Sequence, residues 1–142
     1  MGNQRHYLKV GGFKEYLYVT VGEPININGY RCKVVRMATD TDDYHAGLPK
    51  HSNTSDIYIG LGPENVPRQL RLYKDRSSYK DFDWGHEHTN TNGIKFSKGT
   101  VHVQRYPGAN GGDARYMTLS EHKVFDTIIR HFAPFAKLYP DD

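Results

Sequence analysis

Cysteine is all but absent from this 142-residue chain, in which Cys32 stands alone. A single thiol excludes an intramolecular disulfide and any zinc site built from several thiolates. Cys32 shares a strand face with Tyr30 and Val34, so it reads as a buried structural thiol, suited to a reducing compartment. Long apolar runs are also missing. No stretch approaches the roughly 20 residues that cross a bilayer as a helix. The opening MGNQRHYLKV lacks the apolar core of a signal peptide. Met1-Gly2-Asn3 resembles a myristoylation start, but His6 occupies the place where Ser or Thr belongs. The expectation is a cytoplasmic protein with no membrane partner.

Several catalytic signatures are lacking as well. There is no G-x-x-x-x-G-K-[ST], G-x-G-x-x-G or G-x-S-x-G, and His86-Glu87-His88 is not the H-E-x-x-H of zinc proteases. A P-loop, a dinucleotide fold and a nucleophile elbow are thereby set aside. Net charge is +3 with a pI of about 8.9, enough to serve one anionic groove but no argument by itself for nucleic acid.

What the chain has is aromatic surface: 11 Tyr and 6 Phe against one Trp. Tyrosine joins apolar area to a polar tip, which suits strands and half-exposed binding faces. Charged residues at 25% and hydrophobic residues at 37% describe a globular chain of single-domain size, residues 1–142.

Periodicity divides the chain. From Tyr7 to Met37 the signal is β, with period-two alternation at 15–21 and a hairpin turn at Asn28-Gly29 before a strand at 30–37. Residues 38–55 form a long polar loop, expected to be functional or disordered. Strands are predicted at 56–61, 68–73, 94–96 and 100–106, and 75–93 is read as a loop or broken strand carrying the histidines. Residues 107–113 form a glycine-rich loop. About 118–133 the pattern turns helical: Thr118 and Glu121 form a capping box, and Val124, Phe125, Ile128, Ile129 and Phe132 make one apolar stripe that Pro134 ends. The predicted fold class is α+β, a mostly antiparallel twisted sheet with a C-terminal amphipathic helix packed on one face.

Chemistry concentrates between residues 83 and 102. His86 and His88, two apart on an extended segment, present both imidazoles to one side, and His102 lies with Thr100 and Gln104 on the polar face of a strand whose Val101 and Val103 point the other way. A hairpin between these segments would gather the three. Three neutral imidazoles with Asp83 suit a divalent transition metal with a position open to water. The same histidines suit metal-free acid–base work, with Arg71 meeting a phosphoryl oxygen. A solvated loop also explains an H-x-H among Gly, Asn and Thr. His45 and His51 lie in the long loop, where a solvent-exposed turn explains them, and His122 and His131 flank the helical stripe. The basic run RQLRLYKDR, with Lys74 and later Arg105, would track a phosphate backbone while Tyr73 or Tyr106 stacks a base. Edge protection of the sheet explains the same charges.

The stretch RLYKDRSSYKDFDWGHEH, followed by GTVHVQRY, resembles small toxin-type domains of bacterial toxin–antitoxin pairs and of phage head-associated proteins. In these a basic strand precedes an Asp, a histidine-rich turn, a second histidine strand and a closing helix. The resemblance covers residues 71–106 and is an order of residue types; the β-rich N-terminal half has no counterpart in it. It implies a nuclease-like phosphodiesterase with His86, His88 and His102 in the site. The rival class is a non-catalytic phage or mobile-element binding protein that docks a host protein or nucleic acid through tyrosines such as Tyr44, Tyr73 and Tyr106. Exposed strand edges are compatible with a homodimer.

Overall fold

The alternating runs become strands. The structure is a computed structural model that describes residues 4–10, 14–37, 48, 51–52, 54–105 and 113–139. Strands β1 (Gln4–Val10) and β2 (Lys14–Thr20) pair antiparallel, Gln4 opposite Thr20 and Val10 opposite Lys14. Strands β3 (Ile25–Ile27) and β4 (Tyr30–Met37) form the predicted hairpin. Asn28 and Gly29 turn it with φ of 51° and 83°, the two positive values a type I′ turn requires.

Strand β5 (Ile57–Leu61) lies parallel to β4, from Cys32 opposite Ile57 to Arg36 opposite Leu61. Parallel neighbours cannot be joined by a tight turn. The long polar segment 38–55 thus has a topological reason to exist: it belongs to the crossover. Strands β6 (Pro67–Lys74) and β7 (Ser77–Asp83) continue the sheet antiparallel. The chain then leaves for a short hairpin, β8 (His88–Thr89) with β9 (Lys95–Phe96), and returns as β10 (His102–Arg105) beside β7. The order across the main sheet is β1-β2-β4-β5-β6-β7-β10, with β3 alongside β4.

Helix α1 (Leu119–Phe132) covers one face. Thr118 Oγ1 accepts from the Glu121 backbone N–H at 3.2 Å and the Glu121 carboxylate accepts from the Thr118 N–H at 2.9 Å, the predicted capping box. Phe125, Ile128 and Ile129 are buried against Ile57, Ile59, Leu70, Phe82 and Val103, each burial worth about 1.5–3 kcal/mol. The domain is α+β, with a mostly antiparallel sheet and a C-terminal helix on one face. Cys32 is buried in this core, which pushes its thiol up to about 11, so it is structural.

One stretch departs from expectation. Residues 77–83, read as part of a loop or broken strand, are one strand, β7. Its turn, Asp75-Arg76, takes φ of 51° and 68° without a glycine, so the usual punctuation is missing. Its alternation is masked by charge, because Lys80 and Asp81 are both buried. Lys80 faces the helix, where its Nζ lies 2.5 Å from Glu121 Oε2, and Arg115 Nη1 reaches Glu121 Oε1 at 2.7 Å. Burial alone would raise the Glu121 pKa; hydrogen bonds from Arg115 and Lys80 overcome it and bring the carboxyl from 4.5 down to about 2.

This cluster has a pH signature. A carboxyl depressed on folding contributes stability that is complete above about pH 4.5 and is lost as pH falls towards about 2. Glu121→Gln is expected to lower stability at pH 7 by about 3 kcal/mol, since two cations lose their counter-charge. Urea unfolding of both proteins from pH 7 to pH 2.5 should show the gap closing in acid; a gap independent of pH would refute the electrostatic account.

Candidate metal centre

Strand alternation sends Leu70, Phe82 and Val103 to the helix side and Gln69, Arg71, Asp81, Asp83, His102 and Gln104 to the other. The registers agree: Asp83 sits opposite both His102 on β10 and Gln69 on β6, and Asp81 opposite Gln104 and Arg71. This second face was expected to be polar and open. It is polar, but much of it is closed. His102 is 1% exposed and Thr100 equally so, because the β8–β9 hairpin folds across β10. Phe96 of that hairpin is fully buried, its ring 5.2 Å from the His102 ring and 4.7 Å from Tyr116.

The hairpin is pinned at its tip. Asn90 Oδ1 accepts from the N–H groups of Asn92 and Ile94, and its Nδ2 donates to the Ala114 carbonyl at 3.0 Å. Thr91 donates to Asp113 through both its backbone N–H, at 2.7 Å, and its hydroxyl. These bonds hold the Asp113 carboxyl below its ordinary pKa. At the base, Trp84 donates Nε1–H to the Pro67 carbonyl, and the Trp84 carbonyl accepts from Gly99 N–H. The hairpin is thus tied at both ends, and its first strand carries His88.

The result brings together the three histidines singled out in the sequence. Ring centroids are 6.2 Å apart for His86–His88, 5.5 Å for His86–His102 and 5.2 Å for His88–His102. Each residue offers a ring nitrogen within 4.8 Å of the others. A tetrahedral zinc ion would need nitrogens about 3.3 Å apart. His86 and His88 are half-buried, and closing the set to that spacing requires their rings to turn. Asp83 Oδ1 lies 3.4 Å from His86 Nδ1 and also accepts from the Gly85 N–H at 3.0 Å. Asp83 therefore stands behind His86 as an orienting carboxylate rather than beside it as a fourth ligand. His102 Nδ1 is buried and has no hydrogen-bond partner among the described residues. Burial, first, holds the His102 pKa below its ordinary value; Asp83 opposes this, and His86 and His88 reinforce it.

Other expected site residues are placed differently. Arg71 does not face solvent: its guanidinium makes a two-pronged pair with Asp81, at 2.6 and 2.9 Å, and donates to the Leu48 carbonyl. Gln69 Nε2 donates to the same Asp81 carboxylate. A buried cation needs such partners, so Arg71 braces the sheet instead of waiting for a phosphate. Tyr73 is buried against Tyr58, ring centroids 5.1 Å apart, and burial raises its phenol pKa. It is packing, not a stacking platform. Lys74 and Arg105 are exposed as expected. Tyr106, Tyr44, His45 and most of the glycine-rich segment lie outside the described residues. His51 bridges to Ser77, and His122 lies 3.8 Å from Asp126.

The residue that sequence reasoning missed is Tyr79, inside the stretch read as a loop or broken strand. Lys74 Nζ, Lys80 Nζ and the Arg105 guanidinium lie 5.6, 5.1 and 5.5 Å from its ring centroid. The ladder skips Tyr79, Leu72 pairing with Lys80 and Tyr73 with Ser78, so no regular alternation in the sequence places its ring. What the fold and this geometry define is an α+β domain with a three-histidine cluster built on the polar face of its sheet. No protein-family model, curated protein or solved structure matches the chain. No helix among the described residues is long and apolar enough to cross a membrane.

The buried Arg71–Asp81 pair is open to a direct check. Removing one charge strands the other, so Arg71→Met is expected to lose about 3–5 kcal/mol of stability. The double variant Arg71→Met/Asp81→Leu should recover at least half of that loss in urea titrations. A double variant as unstable as the sum of its parts would show the two side chains acting independently.

Proposed function

We propose that the protein is a phosphodiesterase directed at nucleic acid, of the toxin type that residues 71–106 resemble, in which His86, His88 and His102 hold one divalent transition metal. The observation that carries this reading is the convergence of three imidazoles, each offering a ring nitrogen within 4.8 Å of the others; His102 Nδ1 among them is buried with no hydrogen-bond partner among the described residues. Neutral nitrogen ligands suit zinc and its neighbours in the transition series, and a three-histidine set leaves coordination positions open. A metal held there would supply Lewis-acid polarisation of a phosphoryl oxygen.

The chain's own residues do the rest. Asp83 Oδ1 lies beside His86 Nδ1 and steadies that ring. Phe96 walls off water behind His102. Arg105 stands opposite Lys80 in the ladder, on the other face of β10 from His102. With Lys74 and the Tyr79 ring it offers a second, separate cationic and aromatic surface for the phosphates and bases of a bound strand. Tyr79 takes the part assigned to Tyr73 and Tyr106.

Elemental analysis of protein purified without a histidine tag tests the metal. Wild type is expected to carry about one transition-metal ion per chain and the His86→Ala/His88→Ala variant close to none, with unchanged circular dichroism. Cleavage of a labelled single-stranded RNA or DNA should follow metal content across the two proteins. Absence of metal from wild type even after incubation with zinc or manganese would sink the metalloenzyme reading and favour a non-catalytic binding protein.

A further inference from the structure

We propose that the cleft beside His86 is a binding subsite for a nucleotide, with Arg68 as the residue that takes its phosphate. That the phosphate would there stand next to a reacting centre rests on the function proposed above. The subsite itself rests on different residues.

The cleft encloses about 530 Å³, within the range of small-molecule sites and ample for a mononucleotide. His86 is part of its wall, so it opens directly onto the histidine cluster. Two cations, Arg68 and Lys98, line it against one carboxylate, Glu64. Its other walls are apolar. Trp84 closes the floor, fixed by its bond to the Pro67 carbonyl. Phe135 stands at the side, 55% exposed. That exposure is built in: Arg130 Nη1 donates to the carbonyls of Pro134 and Ala136, at 2.8 and 2.6 Å, and braces the turn that holds the ring out of the core. A flat apolar ring beside two cations matches a base joined to a phosphate.

Two glycines single out Arg68. A Cβ on Gly85 would lie 2.5 Å from Arg68 Cβ, and one on Gly62 would lie 2.8 Å from Arg68 Cδ. Neither glycine has the left-handed φ that would explain it by conformation; among the described residues Gly22, Gly29, Gly93 and Gly99 are the ones that do. Space is the remaining reason. The aliphatic stem of Arg68 lies in a slot that only glycines leave open, and the Arg68 carbonyl is tied to the Trp84 N–H at 2.9 Å. The slot fixes the course of the stem, and Arg68 lines the cleft. Arg68 thus occupies the role that sequence reasoning gave to Arg71.

Titration calorimetry with adenosine 5′-monophosphate, adenosine and inorganic phosphate, on chelator-treated protein, tests the subsite apart from any metal. Wild type is expected to prefer the monophosphate to either fragment. Arg68→Met should weaken that binding about tenfold or more, the loss of charge-assisted hydrogen bonds. Gly62→Ala, which leaves every charge in place and only crowds the arginine stem, should weaken it several-fold. Phe135→Ala, at an exposed site that the fold does not need, should weaken the monophosphate while leaving inorganic phosphate unchanged. Unaltered monophosphate binding in both Arg68→Met and Phe135→Ala, or no binding by wild type at about 10 mM, overturns the proposal. Arg68-dependent binding in a protein that takes up no metal would uphold the subsite and remove the metal reading. Metal uptake without nucleotide binding would do the reverse.

Discussion

Strand β7 carries a lysine and an aspartate side by side, and neither reaches bulk water. Alternation sends Lys80 to the helix face and Asp81 to the opposite face. A buried charge is tolerable only beside a counter-charge. Glu121 on α1 neutralises the lysine and Arg71 on β6 neutralises the aspartate. The strand is therefore locked from both sides, and its register cannot slip. A shift by one residue would present each charge to the wrong layer. Everything that projects from β7 inherits this fixity.

Asp83 inherits it first, two residues beyond Asp81 on the same face. Through the ladder with β10 it sets the height of His102, and through the turn at Gly85 it sets His86. The third histidine arrives on a separate element, the short β8–β9 hairpin, which Asn90 and Thr91 fasten to the segment before the helix. The cluster is thus assembled from a sheet edge, a turn and a hairpin. Rigidity on the sheet side and half-exposure on the hairpin side suit a site that must keep one ligand fixed while the others adjust. The cleft lies on the outer side of His86, where Trp84 and Arg68 are held by backbone bonds of the β6–β7 end.

The two faces of the sheet show different physics. The helix side is an apolar layer, held by area. The other side is a mixed layer in which Val35, Leu48, Tyr58 and Tyr73 pack around the Arg71–Asp81 pair. Such a layer gains less from burial, but it brings directional constraints, because each polar atom accepts few geometries. Polar chemistry can be built there without opening the main core.

The elements most legible in the sequence were those whose signal is local. The Thr118–Glu121 capping box and the stripe through Phe125, Ile128 and Ile129 defined α1 almost to the residue, because capping and amphipathicity depend on neighbours within two turns. Asn28-Gly29 defined the β3–β4 hairpin, because positive φ is a property of those residues themselves. The histidine spacing and the alternation of Thr100 to Gln104 were enough to nominate His86, His88 and His102. What stayed hidden depended on partners far along the chain. Strand β7 was obscured because its buried charges are satisfied by Arg71 and Glu121, and no local pattern reveals a satisfied charge. The parallel pairing of β4 with β5, the closure of the hairpin over His102, and the burial of Arg71 against Asp81 are likewise tertiary. Local propensity and period determined which segments would be strands, turns and helix. Only the pairing of distant charges and the packing of the hairpin decided which polar side chains would be sealed in as structure and which would gather as the histidine cluster.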